Sequence, residues 1–239
     1  MKYIASFSGG KDSTAMVLRL IDEDWPLDDI VFFDTGWEFP QMYDHIIKFE
    51  AFTGRKVTVL HPRESFDYKM AEKPIHRRKK TDPMHGKIYR YGNGWPSFFC
   101  RWCTREKITV LNSYLKQAKC YVGIASDESH RLKQREYPLV HWNMTEADCL
   151  TYCYQRGFDW GGLYQHFDRV SCFCCPLKRI GDFRKIRTYY PDLWQRMIDM
   201  HHSIKSTEGC RFKNKKTVLD LEDRFAAEDR QPRLREAVR

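Results

Sequence analysis

The sequence predicts an α/β fold, a doubly wound and mainly parallel sheet, followed by a cysteine-rich, metal-binding helical part on the C-terminal side. Three observations carry this expectation. Apolar runs at residues 3–7, 30–33, 56–60 and 120–124 have the length and near-continuous hydrophobicity of strands buried on both faces. Helix-like stretches at 15–21, 42–52 and 105–116 separate them. Nine cysteines sit in 239 residues, and five of the nine fall within 100–103 and 172–175.

The first strand, Tyr3-Ile4-Ala5-Ser6-Phe7, runs straight into Ser8-Gly9-Gly10-Lys11-Asp12-Ser13-Thr14 and then into a helix. Gly9 and Gly10 permit backbone angles that a side chain forbids, so several N–H groups can turn toward one anion. The helix N-terminus adds a partial positive charge and Lys11 a full one. A strand–glycine loop–helix unit of this kind holds phosphate through Ser8, Gly9, Gly10, Lys11, Asp12, Ser13 and Thr14. The spacing is not that of Walker A, which has four residues between its glycines. A plain Gly-Gly turn capped by serine accounts for Gly10 and Ser13, but not for Lys and Asp directly after a buried strand.

The second strand leads into Asp34-Thr35-Gly36, with Glu38 close behind. A carboxylate at Asp34 can reach a ribose, or Mg2+ bridging phosphates, since magnesium takes carboxylates plus substrate oxygens. The helix over 42–52 ends at Thr53-Gly54, and the third strand follows. After the fourth strand comes Gly123-Ile124-Ala125-Ser126-Asp127-Glu128-Ser129, then Arg131, which suits bidentate contact with a phosphate or sulfate. Ser126 also reads as a helix cap, and the two readings are compatible. Every candidate loop lies just after a strand, where doubly wound sheets bind ligands.

Residues 72–99 break the alternation. Lys73, His76, Arg77, Arg78, Lys79, Lys80, Lys87 and Arg90 are interleaved with Tyr89, Tyr91, Trp95, Phe98 and Phe99. This reads as a long loop or insertion. It suits a nucleic-acid backbone with stacked bases, or equally a solvated basic loop over an apolar floor. Beyond Pro138 a helix over 146–156 is capped at Thr145, and a helical tail begins near Ile180. Its last part, 213–239, alternates charge and reads as an exposed helix with a frayed end. The expected organisation is a nucleotide-binding α/β domain over 1–160, with the insertion at 72–99, and a cysteine-rich helical region over 161–239.

Hydrophobic content of 42% excludes a disordered chain, and no apolar run reaches the length of a membrane span. The chain opens on strand and loop without a secretory signal, so a cytoplasmic location is expected. A disulfide framework is then disfavoured, and metal binding or catalysis becomes the better account of the cysteines. The net charge of +9 fits an anionic partner such as a nucleotide or a nucleic acid.

Two Cys-x-x-Cys pairs, Cys100/Cys103 and Cys172/Cys175, have the spacing of a four-thiolate metal site. Zn2+ and a 4Fe-4S cluster are both compatible. The aromatic neighbours Phe98, Phe99, Trp102 and Phe173, with Pro176 after Cys175, favour the cluster. Cys174 is either a spare thiol or the fourth ligand in place of Cys172. Cys120, Cys149 and Cys153 read as core, and His201-His202 as surface.

Ser8-Gly9-Gly10-Lys11-Asp12-Ser13 resembles the pyrophosphate (PP) loop of the ATP pyrophosphatase, or adenine nucleotide alpha hydrolase-like, superfamily. Several further motifs fall in the order of its phosphoadenosine phosphosulfate (PAPS) reductase branch. These are Asp34-Thr35-Gly36 with Phe39-Pro40, Cys103-Thr104-Arg105-Glu106-Lys107, Gly123 through Arg131, and Tyr137-Pro138-Leu139 with Trp142. The resemblance spans roughly 1–158 and implies an adenine-nucleotide site, with Lys11, Asp12 and Asp34 in the catalytic role. Two departures count against sulfate reduction. The tail offers only Glu208-Gly209-Cys210-Arg211 where the reductases carry a Glu-Cys-Gly-type nucleophile motif, and Ala125 stands where an arginine is expected.

The reading is therefore a PP-loop ATP pyrophosphatase acting as an ATP-dependent sulfur transferase that adenylates and then thiolates an acceptor, with nucleic acid as the expected acceptor. A sulfur-donor protein and a homodimer are further partners this reading admits. The alternatives are a reductase of PAPS or adenosine phosphosulfate (APS) that releases sulfite, and a nucleotide-binding module without catalysis.

Overall fold

The computed structural model describes residues 1–98, 100–206 and 210–230. In chain order the elements are β1 (Lys2–Ser6), α1 (Lys11–Asp22), β2 (Asp29–Phe33), α2 (Pro40–Thr53), β3 (Thr58–Leu60), α3 (Phe66–Ala71), β4 (Pro74–His76), β5 (Ile88–Tyr91), α4 (Trp102–Tyr114), β6 (Ala118–Val122), α5 (Pro138–His141), α6 (Glu146–Gln155), α7 (Leu163–His166), α8 (Ile180–Tyr189), α9 (Pro191–Ser203) and α10 (Val218–Arg230). They fall into two compact units, one of Met1–Pro62 with Glu106–Cys172, the other of Arg63–Arg105 with Phe173–Arg239. The division thus differs from a single boundary at residue 160. The chain leaves the first unit after β3, returns within α4, and leaves again at the second cysteine cluster.

The first unit is the expected α/β layer. Its four strands run in the order β3-β2-β1-β6, all parallel, with Ile4 opposite Asp29 on one side and Cys120 on the other. Ile30, Val31, Phe32 and Phe33 are all buried, which explains why these runs show no polar alternation. Chain order reverses at β1: β2 and β3 extend to one side, β6 to the other. The crevice beyond the carboxyl end of β1 is therefore the switch point where such sheets bind ligands.

Under that end lies a wholly apolar floor with one polar inclusion. Phe7, Phe49 and Phe158 are buried, and Phe7 and Phe49 have ring centroids 4.7 Å apart. Each such side chain contributes roughly 1.5–3 kcal/mol by burial. His45 is buried among them, stacked on Trp160 at 4.6 Å, with its Nε2 2.9 Å from the Thr14 hydroxyl.

The second unit holds α3, a β-hairpin and the last three helices. The segment expected as an irregular loop contains the antiparallel pair β4–β5, with a register irregularity between Ile75 and His76. Gly92 ends the hairpin at φ +72°, where a Cβ would fall 2.1 Å from the Met70 carbonyl oxygen. Helix α8 packs on α9, α9 on α10, and α3 on α9. Phe212 bridges this core, edge-on to both Trp95 (5.1 Å) and Phe183 (4.9 Å). Helix α10 is not the exposed helix its charge pattern suggests: Val218, Leu221 and Phe225 are buried, and Glu222 accepts from Arg187 and Trp194. The rest of the frayed end, 231–239, lies outside the described residues. His201 is buried, not at the surface, because α9 turns it inward while His202 stays exposed. Among the described residues no helix is long and apolar enough to cross a membrane.

Burial lowers the pKa of His45 to about 3, well under its free value. Between pH 6.5 and 3 the unfolded chain therefore binds a proton that the folded one refuses. Stability falls as pH drops through that window, by up to ~1.4 kcal/mol per pH unit. Urea midpoints measured at pH 7, 6 and 5 should fall more steeply for the wild type than for His45→Gln, so that the gap between the two proteins narrows at pH 5.

Candidate functional site

After β1 the chain continues the ladder through the Phe7 N–H to the Val31 carbonyl at 2.9 Å, then turns at Gly9 with φ +74°. A side chain there would be strained and would fall 2.9 Å from the Met42 methyl. The Trp160 indole N–H donates to the Gly9 carbonyl at 2.7 Å and fixes the turn. Gly10 caps α1 without a side-chain bond, and the Lys11 N–H donates to the Tyr164 hydroxyl at 2.7 Å. Helix α1 thus begins at the switch point with its dipole aimed at any anion bound there.

The hydroxyls of the loop serve its shape. Ser13 Oγ donates to the Gly10 carbonyl (3.0 Å), accepts from the Ser8 N–H (3.2 Å) and lies 3.0 Å from Ser8 Oγ. Thr14 is fully buried against His45. Ser13 and Thr14 therefore brace the loop from inside, and the Ser8 and Lys11 amides are also engaged, by Ser13 and Tyr164.

Lys11 is buried, with its ammonium 2.8 Å from Asp12 Oδ1 and 2.7 Å from Glu146 Oε2. Glu146 opens α6 and is held there by the expected cap. Thr145 and Asp148 exchange hydrogen bonds, and the Asp127 carboxylate accepts the Glu146 N–H at 3.2 Å. Glu128 pairs with Arg131 and lies 3.6 Å from Arg169. Oxygens of Asp12, Glu128 and Glu146 all lie within 4.8 Å of one another. Burial raises the Asp12 carboxyl against the pull of Lys11, and Glu146 and Glu128 add to the rise. Burial also works to lower Lys11, but Asp12 and Glu146 together outweigh it and hold the ammonium charged. Three carboxylates facing Lys11, Arg131 and Arg169 form a site that can take a divalent cation together with phosphate oxygens.

Glu146, Glu128, Tyr164 and Trp160 are the site residues that motif reading missed. Glu128 lies in the Gly123–Arg131 stretch behind the Ser126 cap reading, Glu146 is only the start of the helix after Thr145, and nothing local marks Tyr164 or Trp160. Arg131, expected on phosphate, is bound to Glu128. Ser126 does not cap a helix by its side chain; Ala125 takes the cap position of a 3₁₀ segment, Ser126–Arg131.

Asp34 stands apart from that trio, after β2. Its Oδ1 accepts from the Gly36 N–H (2.7 Å) and the Tyr43 hydroxyl (2.8 Å), which fixes the turn. Beside it Thr35 Oγ1 donates to Glu38 at 2.9 Å, and the Cys172 thiol donates to the same carboxylate oxygen at 3.3 Å.

The other expected thiols lie in the second unit. Cys100 is on a turn closed by reciprocal bonds with Ser97, and Cys103 is in the first turn of α4. Burial pushes the Cys103 thiol up, with Cys175 near enough to add to the effect. Among the described residues no group of three or more metal-ligating side chains within 4.8 Å includes a cysteine. The donors nonetheless suit a soft, sulfur-ligated metal: two thiols one turn apart and a third beside them. Of the expected aromatic neighbours, Trp102 and Phe173 are buried, Phe98 is exposed, and Phe99 lies outside the described residues. Cys120, Cys149 and Cys153 are buried core thiols, as expected.

Residues 2–178 match the phosphoadenosine phosphosulfate reductase domain. The chain belongs to that family. The match takes in the PP loop, Asp34, the acidic trio and both cysteine clusters. The chain is 28% identical over 211 residues to the uncharacterized protein MJ0066 of Methanocaldococcus jannaschii, covering 81% of this chain and 40% of that protein. It is 25% identical over 217 residues to MJ0973 of the same organism, covering 82% and 46%. It thus spans less than half the length of either relative. It is also 24% identical over 176 residues to the adenosine 5'-phosphosulfate reductase of Geobacillus kaustophilus, covering 67% of each. Among solved structures it is similar to the PAPS reductase of Candida auris in a phosphate complex (TM-score 0.49, 18% identity, 72% of this chain and 81% of that one). It is likewise similar to the U34-tRNA thiolase NcsA of Methanococcus maripaludis with its 4Fe-4S cluster (TM-score 0.42, 14% identity, 95% and 73%).

In this PAPS reductase-domain chain, the residue after β6 sets where the loop can lie. A Cβ on Gly123 would fall 2.8 Å from Ser13 Cα and 2.9 Å from Ser13 N, which is backbone and does not give way. Gly123→Ala should therefore cost about 1–3 kcal/mol in urea unfolding and weaken adenine-nucleotide binding by calorimetry. Gly181→Ala, in open space on α8, should leave both readings near wild type.

Proposed function

We propose that this chain is a PP-loop ATP pyrophosphatase that acts as an ATP-dependent sulfur transferase, first adenylating and then thiolating a nucleic-acid acceptor. The observation that carries the reading is a contrast between two sites. The phosphate loop is fully formed, whereas the thiol a reductase would need is not poised for attack. Cys210 donates to the Ile204 carbonyl at 3.4 Å, and burial pushes its thiol up, away from the thiolate that does nucleophilic work. Glu208 and Gly209, which precede it, lie outside the described residues.

In this reading ATP lies with its phosphates over α1. An acceptor oxygen attacks the α-phosphorus, the bond to the bridging oxygen of pyrophosphate breaks, and the acceptor is left as its adenylate. The loop amides and Lys11 stabilise the charge that develops on the leaving pyrophosphate. Asp12 and Glu146 keep Lys11 protonated and aimed. Asp12, Glu128 and Glu146 are the residues that would hold Mg2+, which supplies further neutralisation of the phosphates. Asp34, fixed by Gly36 and Tyr43, would meet a ribose in this reading. Sulfide-level sulfur (HS−) then attacks the adenylated carbon, a C–S bond forms, the C–O bond to phosphate breaks, and AMP leaves. Cys100, Cys103 and Cys175, with Cys172 or Cys174, would hold a 4Fe-4S cluster, whose chemistry is to carry or bind the sulfur. Zn2+ on the same thiols would be a structural clip.

Three measurements test this. Pyrophosphate release from ATP should require a nucleic-acid acceptor and fall roughly 10²–10³-fold in kcat in Lys11→Ala. Anaerobically purified protein should be brown and lose its colour in Cys100→Ala, which should still release pyrophosphate but form no sulfur-containing product. Colourless protein with stoichiometric zinc overturns the cluster. Sulfite release from PAPS or APS that disappears in Cys210→Ser overturns the transferase reading in favour of the reductase.

A further inference from the structure

The segment that breaks the α/β alternation is built to present charge and rings. Residues 73–101 carry eight Lys and Arg against one acid, Asp82. Strands β4 and β5 fold this segment into a hairpin whose base is closed by Gly92 to Lys73 and tied to α3 by bonds from Asn93 to Lys69 and Gly94 to Met70. The tip is closed by the Arg77 N–H to the Lys87 carbonyl (3.0 Å) and the Gly86 N–H to the Arg77 carbonyl (3.0 Å), and Asp82 Oδ1 accepts the Met84 N–H. Arg77, Arg78, Lys79 and Lys80 are all exposed on it.

Tyr89 and Tyr91 lie two residues apart on β5, and Tyr89 is the extra residue of the register shift, between Ile88 opposite His76 and Arg90 opposite Ile75. The two tyrosines are 45% and 51% exposed, large values for tyrosines in a strand. The Arg77 guanidinium lies 4.6 Å from the Tyr89 ring centroid and so pairs a tip cation with that ring. An exposed ring takes the face of a base only where that base is not stacked in a duplex, so the two rings suit unpaired bases. The same segment runs directly into the first thiol pair: the Trp102 indole, next to Cys103, donates to the Gly94 carbonyl at 3.2 Å.

We propose that the β4–β5 hairpin is a grip for single-stranded nucleic acid, with the tip cations on phosphates and Tyr89 and Tyr91 as stacking platforms, so that an unstacked nucleotide is led toward the Cys100–Cys103 turn. This rests on the reading that the acceptor is a nucleic acid and gives that acceptor its form and its docking surface. The shared chemistry is an unpaired polynucleotide, which RNA and DNA both offer.

Fluorescence anisotropy of the full chain without ATP tests it, using labelled 12-mers of oligouridylate, oligothymidylate and a 12-base-pair duplex. Either single strand should bind at least tenfold more tightly than the duplex, and the two single-stranded arms tell RNA from DNA. The R78A/K79A/K80A variant should lower the slope of log affinity against log salt by about 2, near 0.7 for each phosphate that is no longer neutralised. Tyr91→Ala should weaken binding about 5- to 150-fold, the range for one base–aromatic stack, at unchanged slope, while Tyr91→Phe should bind like the wild type. All of these side chains are exposed, and melting curves confirm that each variant folds. Tighter binding of the duplex, an unchanged salt slope in the tip variant, or indifference to Tyr91→Ala overturns the proposal. Polyglutamate that displaces the oligonucleotide and binds equally well to Tyr91→Ala assigns the hairpin to an acidic protein instead. Strand binding without any pyrophosphate release leaves the hairpin in place and removes the transferase reading. Acceptor-stimulated release that these variants leave unchanged removes the hairpin alone.

Discussion

The approach of β6 to the start of α1 is the constraint on which the polar site at the switch point depends. Strand β1 is paired on both sides, and its five-residue match with β6 delivers the β6 exit against the backbone of Ser13. Only a residue without a Cβ passes there. Because Gly123 passes, the chain that follows can run to Asp127 and Glu128 beside the loop, and Asp127 in turn seats the first residue of α6. Glu146 is thereby placed on Lys11 across 135 residues of sequence. One close backbone contact thus links three separate stretches of chain into a single polar site at the switch point.

The electrostatics of that site follow from burial more than from charge count. Lys11 is buried with only carboxylates for partners, so its ammonium survives because Asp12 and Glu146 lie under 3 Å away. Removing one carboxylate would leave a desolvated charge, which is costlier than the pair itself is worth. Glu146 and Glu128 add to the rise of Asp12 by repulsion, which a bound cation would relieve. Tyr164 and Trp160 bond to the backbone of this loop and not to its charges. They hold the geometry without adding to the field.

Much of this was legible in the sequence, and the parts that were not share a cause. The four parallel strands appear where apolar runs predicted them, most clearly β2, whose burial on both faces leaves a contiguous signal, whereas the edge strand β3 leaves Val59 exposed. The PP loop and the Thr145 cap are likewise local patterns whose physics is complete within a few residues. The hairpin was not legible. Its strands are three and four residues long, its exposed faces carry Tyr and Arg, and its register is irregular at Ile75 and His76, so no period of two develops. Glu146 stands out in sequence only as the residue after the Thr145 cap, because its second role lies on α1. His201 and α10 show the same limit in the other direction. Charge patterning describes a solvated face and is silent about the one turned inward, where Val218, Leu221 and Phe225 pack.

Environment sorts the cysteines in a way that spacing alone does not. Burial pushes Cys149 up, and Cys153 up to about 12, so both stay protonated beneath the loop, where Cys153 donates to the Lys11 carbonyl. Cys120 is raised by burial on β6, and Cys210 is raised and tied to a backbone carbonyl. A thiol in such surroundings neither attacks nor ligates readily. Cys103 shares that upward push, so it is the paired spacing of the cluster cysteines, and not burial, that points to sulfur chemistry there. Of these, Cys172 differs in its company: it lies in the first unit, bonded to Glu38 beside the turn that holds Asp34. Cys100, Cys103, Cys174 and Cys175 belong to the second unit, where the hairpin also stands.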